Sequence, residues 1–292
     1  MFSFKRMWAV ARYELTWDMR KKRTFVMLAV FLFSSVMIGY LVPVIIGKAA
    51  AANTFANATG NTWWVWVVYL VFNGLVAGLF PLLIGGFIST DTFASEFESR
   101  TITPLLSQPI RRMEVYVGKL LEKSILMLGV SVAFTAVSFL AAEASIGGQA
   151  HLGWYPWIIL ISFGAFLEFT ALAFFLGSFI RSGSTLLGVM VAVFIGAIIV
   201  LGVASLAFGP QPWMLSFPVA NVQELVYVAI NYLSSPSGTI VLQANLGPGT
   251  SSQAITMMVA PALTYVVAGL VINLMVPFAL GYLIFARAEV KE

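Results

Sequence analysis

From Leu186 to Phe208 the chain reads LLGVMVAVFIGAIIVLGVASLAF, without a charged residue or a proline. A helix rises 1.5 Å per residue, so about 20 such residues cover the ~30 Å hydrocarbon layer of a bilayer. Hydrocarbon offers the backbone no water to bond with, so a segment of this kind crosses as a helix that satisfies its own N–H and C=O groups. Moving outward, the same composition recurs. Charge-free runs extend over Thr24–Gly47, Ala49–Thr90, Ser124–Ala142, Ser182–Gln223 and Leu225–Ala286. Of the 292 residues, 60% are hydrophobic and 10% charged, and the mean hydropathy is +0.94. A soluble domain carries roughly a quarter charged residues and has no means of hiding this much apolar surface.

Six spans are expected: 24–46, 65–88, 117–142, 157–180, 186–208 and 259–285. The chain reads as one all-α transmembrane domain over 1–292. Trp63, Trp64 and Trp66 precede the second span, and Trp154 and Tyr155 the fourth, where aromatic rings suit the headgroup boundary. Lys119, Glu122 and Lys123 open the third span and are expected below the hydrocarbon. Residues 1–23 hold a short amphipathic helix, with Phe4, Trp8, Ala11 and Leu15 at i, i+4, i+7 and i+11 and with Lys5 and Arg12 elsewhere on the wheel. This helix is expected to lie in the membrane interface. Its basic end leads into a full-length span rather than a cleavable signal. Between spans 5 and 6, residues 209–258 contain no lysine or arginine and only Glu224 as a charge. Within that outer segment Val222–Leu233, bracketed by Pro218 and Pro236, is too short to cross and is expected as a re-entrant or interfacial helix.

Orientation follows from the bases. Six spans put 15 of the 16 Lys and Arg residues on one side and leave Lys48 alone on the other. Positive residues are retained in the cytoplasm, so both termini are expected there, in a multi-pass plasma-membrane protein. The sequence contains no cysteine and a single histidine, His151, which excludes thiolate sites and His clusters. No phosphate-binding Gly-x-x-x-x-Gly-Lys-Ser/Thr loop exists, because Gly118-Lys119 is followed by leucine. An enzyme is not expected, nor nucleic acid as a partner. The Asn57-Ala58-Thr59 triplet carries little information. Twelve scattered methionines read as packing, and Gly74, Gly78, Gly85 and Gly86 as close helix approach.

The loop 89–116 is the richest in signals. It reads Ser89-Thr-Asp-Thr-Phe-Ala-Ser-Glu-Phe-Glu-Ser-Arg-Thr-Ile-Thr-Pro-Leu-Leu-Ser-Gln-Pro-Ile-Arg-Arg-Met-Glu-Val-Tyr116. Ser95 and Glu98 have capping-box spacing, and Glu96 and Glu98 suit the positive end of a helix. Thr103-Pro104 starts a second turn and Pro109 ends it, presenting Ile102, Leu105 and Leu106 on a small knob. Apolar residues rimmed by charge mark a docking surface, with packing on the protein's own helix ends as the alternative. Glu168 sits mid-span among Phe163, Phe166 and Phe169. It reads first as a hydrogen bond to another span and second as a pathway-lining group, since an ionisable residue at this depth needs a partner or a cavity.

These residues resemble the permease subunits of ATP-binding-cassette transporters of the second exporter type. The resemblance runs through Asp91, Ala94, Glu96, Thr101, Ile102, Leu105, Leu106, Ser107, Pro109, Ile110, Arg112, Gly118 and Lys119, and through Ala11, Arg12, Glu14 and Leu15 near the N-terminus. Arg100 departs from it, the family often having glycine there. The resemblance implies a pathway formed by two such subunits, as a homo- or heterodimer. Two ABC ATPase subunits would carry ATP and Mg, since this chain itself binds no cofactor and no metal. The ATPase-docking residues it implies are Glu96, Glu98, Arg100, Thr101, Leu105, Leu106, Pro109, Arg111 and Arg112. Two other readings stay open. An ion-coupled secondary transporter would offer more intramembrane ionisable groups than Glu168, and a membrane scaffold or assembly factor would bind a cytoplasmic partner without transport.

The topology is tested by single cysteines in this cysteine-free chain. Ser182→Cys should react with an impermeant thiol reagent only from the inside and Ser237→Cys only from the outside; labelling of both from one side would break the six-span arrangement.

Overall fold

The computed structural model describes residues 3–37, 40, 81–90, 92–94, 96, 110–146, 155–208, 211–222, 224–225, 241–244, 253–256 and 263–287. In chain order these form α1 (Phe4–Asp18), α2 (Lys22–Val36), a π turn (Leu82–Gly86) running into α3 (Phe87–Ser89), α4 (Arg112–Ile146), α5 (Tyr155–Gly177) and α6 (Gly183–Phe208). A 3-10 turn (Pro212–Ser216), a helical turn at 218–222, strands β1 (Val241–Ala244) and β2 (Gln253–Thr256), and α7 (Leu263–Arg287) complete the chain. Helices α4 to α7 are each long and apolar enough to cross a membrane. The described parts of the first two expected spans are shorter, reaching Val36 in one and beginning at 81 in the other. Residues 41–80, with Lys48, Asn57, Trp63, Trp64, Trp66, Gly74 and Gly78, lie outside the described residues, as does His151.

Helix α5 is the axis of the bundle. It packs against α4, α6, α7 and the π turn, and Ala165, Phe166, Phe169, Ala173 and Phe174 on it are almost fully enclosed. Lipid tails are as apolar as leucine, so helices in a membrane associate through close fit rather than through expulsion of water. That fit is visible where the π turn meets α5. A Cβ on Gly85 would stand 2.6 Å from the carbonyl oxygen of Phe166, main chain that has no room to yield. Phe31 of α2 stacks on Phe134 of α4 at 5.0 Å and meets Phe166 edge-on at 5.8 Å, which ties the first span to the bundle. At the inner end Phe93, Tyr116, Phe174 and Phe285 form a second aromatic cluster, with Phe93 and Phe285 centred 4.8 Å apart.

Three expectations change in detail. Helix α4 begins at Arg112, five residues before the expected span, and continues to Ile146; its first turns are stabilised by protein contacts rather than by lipid. The helical turn of the outer segment begins at Pro218 instead of Val222, proline being tolerated in a first helical turn where its missing N–H is unneeded; residues 226–240 lie outside the described set. The outer segment also contains an antiparallel hairpin that pairs Val241 with Thr256 and Ala244 with Gln253. Helix remains the dominant structure throughout.

The candidate coupling face and an intramembrane clasp

Two groups of buried polar residues stand out among the described residues. The first lies where α1 crosses the start of α4. Helix α1 buries Met7, Val10, Ala11 and Asp18, positions one turn apart on one face, and a Cβ on Gly118 of α4 would come within 2.9 Å of the Met7 carbonyl oxygen. This corrects the expected apolar stripe. Ala11 turns into the protein, while Phe4 and Trp8 stay exposed, because the face that buries carries the carboxylates of Glu14 and Asp18 toward the lysines of α4.

Those lysines build a ladder. The Lys119 ammonium donates to Glu14 Oε1 at 2.7 Å and to Glu96 Oε1 at 2.6 Å. One turn further along both helices, Lys123 pairs with Asp18 and lies 3.3 Å from Glu122, while Lys21 reaches Asp18 at 2.7 Å. At the near end Glu114 accepts from the backbone N–H of Ser3 at 2.7 Å and of Arg111 at 3.1 Å. Four carboxylates thus meet three ammoniums, and Glu96 Oε2 and Glu122 Oε1 are left without a hydrogen-bond partner. Burial opposes the charge of Asp18, but Lys123 and Lys21 more than offset it and hold the carboxyl below its ordinary pKa. Burial pushes Glu96 the other way; the Glu14 carboxylate adds to that and Lys119 offsets only part. Asp18 is therefore the member held most firmly charged, and Glu96 the one most readily neutralised.

Of the docking residues expected from sequence, the structure describes Glu96, Arg111 and Arg112. Glu96 is drawn inward to Lys119 instead of pointing out as a cap. Arg112 donates to the carbonyl oxygen of Ala286 at 2.8 Å and so ties the start of α4 to the end of α7; Arg111 is exposed. Glu98, Arg100, Thr101, Leu105, Leu106 and Pro109 lie outside the described residues. Sequence reading noted Lys119, Glu122 and Lys123 and singled out Glu14 in the motif, yet did not pair them. The signal was present in the matched one-turn spacing of Glu14 and Asp18 with Lys119 and Lys123.

The second group is the clasp around Glu168. Its carboxyl accepts from Asn221 Nδ2 at 2.6 Å and from Asn273 Nδ2 at 3.1 Å, and Asn273 also donates to the carbonyl oxygen of Leu215 at 3.1 Å. All three side chains are buried. Asn221 and Leu215 belong to the outer segment, so one carboxyl in the middle of α5 pins that segment between α5 and α7. Space for it comes from Gly269, where a Cβ would strike Asn221 Oδ1 at 2.6 Å and the Leu215 carbonyl oxygen at 2.7 Å. Pro277, four residues beyond Asn273 on α7, has no N–H to offer back along the helix. The expected hydrogen bond to another span is present, joined by one to the outer segment.

Together these features define a polytopic helical membrane protein whose buried charges fasten its cytoplasmic helices to its spans. Its family follows from comparison with known proteins. The chain belongs to the ABC-2 transporter family: residues 8–290 match the family described as ABC-2 family transporter protein. It is a multi-pass membrane permease of an ABC transporter. Comparison with curated proteins found no match.

Two substitutions test these groups. Lys119→Met leaves Glu14 and Glu96 facing each other without their cation, so unfolding of the purified permease in detergent should be easier by about 3 to 5 kcal/mol. Adding Glu14→Gln and Glu96→Gln should recover most of that loss; no recovery would mean the lysine acts only through packing. For the clasp, Glu168→Gln should unfold close to wild type, whereas Glu168→Ala should lose about 1 to 3 kcal/mol, the cost of orphaning buried partners.

Proposed function

We propose that this chain is the transmembrane half of an ATP-driven exporter. Two such subunits, identical or related, form the substrate pathway. Two separate ABC ATPase subunits carry ATP and Mg and dock on the loop Ser95–Glu114. Six spans place both termini in the cytoplasm, α1 lies along the inner membrane interface, and the segment around 212–225 re-enters the membrane from outside. Closure of the ATPases drives the transport motion through the loop.

The observation that carries this reading is the position of Glu96. It follows the second expected span within the candidate docking loop, and it is bound through Lys119 to both α4 and α1. A displacement of the loop is then passed to the start of the third span and to the interfacial helix at once, because breaking any of these contacts would strand a buried charge. Helix α7 joins the same body through Arg112 and the Ala286 carbonyl. In this reading Glu168 holds the outer segment in place and does not contact the cargo.

Leu105 and Leu106 supply the docking contact. Desolvating two leucines in a partner groove contributes roughly 3 to 6 kcal/mol, enough to dominate a small interface, while Glu98, Arg100 and Arg111 set orientation more than affinity. Leu105→Asp with Leu106→Asp should leave the permease monodisperse in detergent and abolish recovery of the ATPase in a pull-down. Undiminished recovery would remove this loop as the coupling site.

A further inference from the structure

One flank of α1 has no partner within the protein. The face centred on Met7, Ala11, Glu14 and Asp18 is closed against α4, and the next faces round the helix are open. On one of them Phe4 is 65% exposed and Trp8 47% exposed. Lys5 and Arg12, both exposed, flank Trp8 at three residues before and four after, one turn to each side and on the same side of the helix. Neither base forms an ion pair among the described residues. Lys119 and Lys123, by contrast, are consumed by the ladder and buried. The ladder also fixes the level of this flank. With Ser3 beside Glu114 and Asp18 beside Lys123, α1 lies alongside the first three turns of α4, where the chain passes from water into hydrocarbon.

We propose that Lys5 and Arg12 form a binding site for the phosphate headgroup of an anionic phospholipid in the inner leaflet, with Phe4 and Trp8 inserted beside its acyl chains. The chemistry matches on both sides. The two cations stand seven residues, or about 10 Å, apart along the helix, and two long flexible side chains converge on one phosphate from that separation. The indole between them suits the headgroup boundary, with its ring body toward the chains and its N–H toward water. The inner leaflet is the one that carries anionic lipid, and basic residues near its surface each raise the local preference by about fivefold. The site deepens the reading of α1 as an interfacial helix. Because lipid retention is read without ATPase or cargo, its failure is distinguishable from failure of the transport reading.

The test uses the full chain purified in mixed micelles containing equal amounts of phosphatidylglycerol and phosphatidylcholine, with retained lipid counted by native mass spectrometry. Wild-type protein should retain phosphatidylglycerol preferentially. Lys5→Gln with Arg12→Gln should cut that preference by on the order of tenfold while the protein stays monodisperse. Trp8→Ala should weaken retention of both lipids alike. Lys22→Gln with Arg111→Gln removes two exposed bases elsewhere on the inner face and should leave the preference intact; an equal loss in this control would reduce the site to general surface charge and overturn the proposal. Competition by soluble glycerophosphate as effective as by the lipid would assign the site to a free phosphate instead. Undiminished phosphatidylglycerol retention in the double variant, with loss of the ATPase in pull-down, would hand the flank to a protein partner and equally overturn it.

Discussion

Two lysines buried at the mouth of α4 govern how the cytoplasmic side of this permease is put together. An ammonium withdrawn from water costs several kcal/mol unless carboxylates meet it at close range, and Lys119 and Lys123 find theirs on other parts of the chain, Glu14 and Asp18 on α1 and Glu96 after the second expected span. The choice is not made for strength, since well-packed apolar residues would hold these elements at least as firmly. What ion pairs add is register. An apolar contact tolerates sliding, whereas a buried charge displaced by half a turn loses its partner altogether. A subunit that must pass movement from a loop to a span has use for contacts of this kind.

The clasp at Glu168 applies the same logic deeper in the bilayer. One carboxyl receives an amide from the outer segment and an amide from α7, so three elements distant in sequence share one hydrogen-bonded node. Gly269 lets the outer segment approach closely enough, and the carbonyl of Leu215 completes the set. The node and the ladder are linked by α5 and α4, which pack against each other along the bundle. Polar specificity thus sits near both ends of an otherwise apolar scaffold.

The helical membrane architecture was legible in the sequence because hydrocarbon thickness imposes a length and a composition that no soluble helix needs. The start of α4 was misplaced by five residues, since Arg112 to Tyr116 are held by Glu114 and by the carbonyls of α7, contacts that a hydropathy pattern does not encode. Glu168 was recognised as a residue in need of a partner, yet Asn221 and Asn273 were not, because an amide is common enough in loops and spans to carry no signal by itself. The face of α1 was misjudged for a related reason. The apolar stripe Phe4, Trp8, Ala11, Leu15 is real on the wheel, but the two carboxylates beside it outrank it, and the helix turns to bring them to the lysines.

The π turn at Leu82–Gly86 bears on all of this in a way that a list of contacts hides. Its hydrogen bonds reach one residue further than those of an α-helix, so it holds one residue more than a regular turn would. Each residue of an α-helix advances the direction of its side chains by about 100°. That surplus residue therefore sets the compass bearing of everything that leaves the membrane after it, including Ser89 where it faces Thr170 and Glu96 where it meets Lys119. A deletion of a single residue here would keep the span apolar and long enough, yet swing the cytoplasmic loop by more than a quarter of a circle away from the lysine that anchors it.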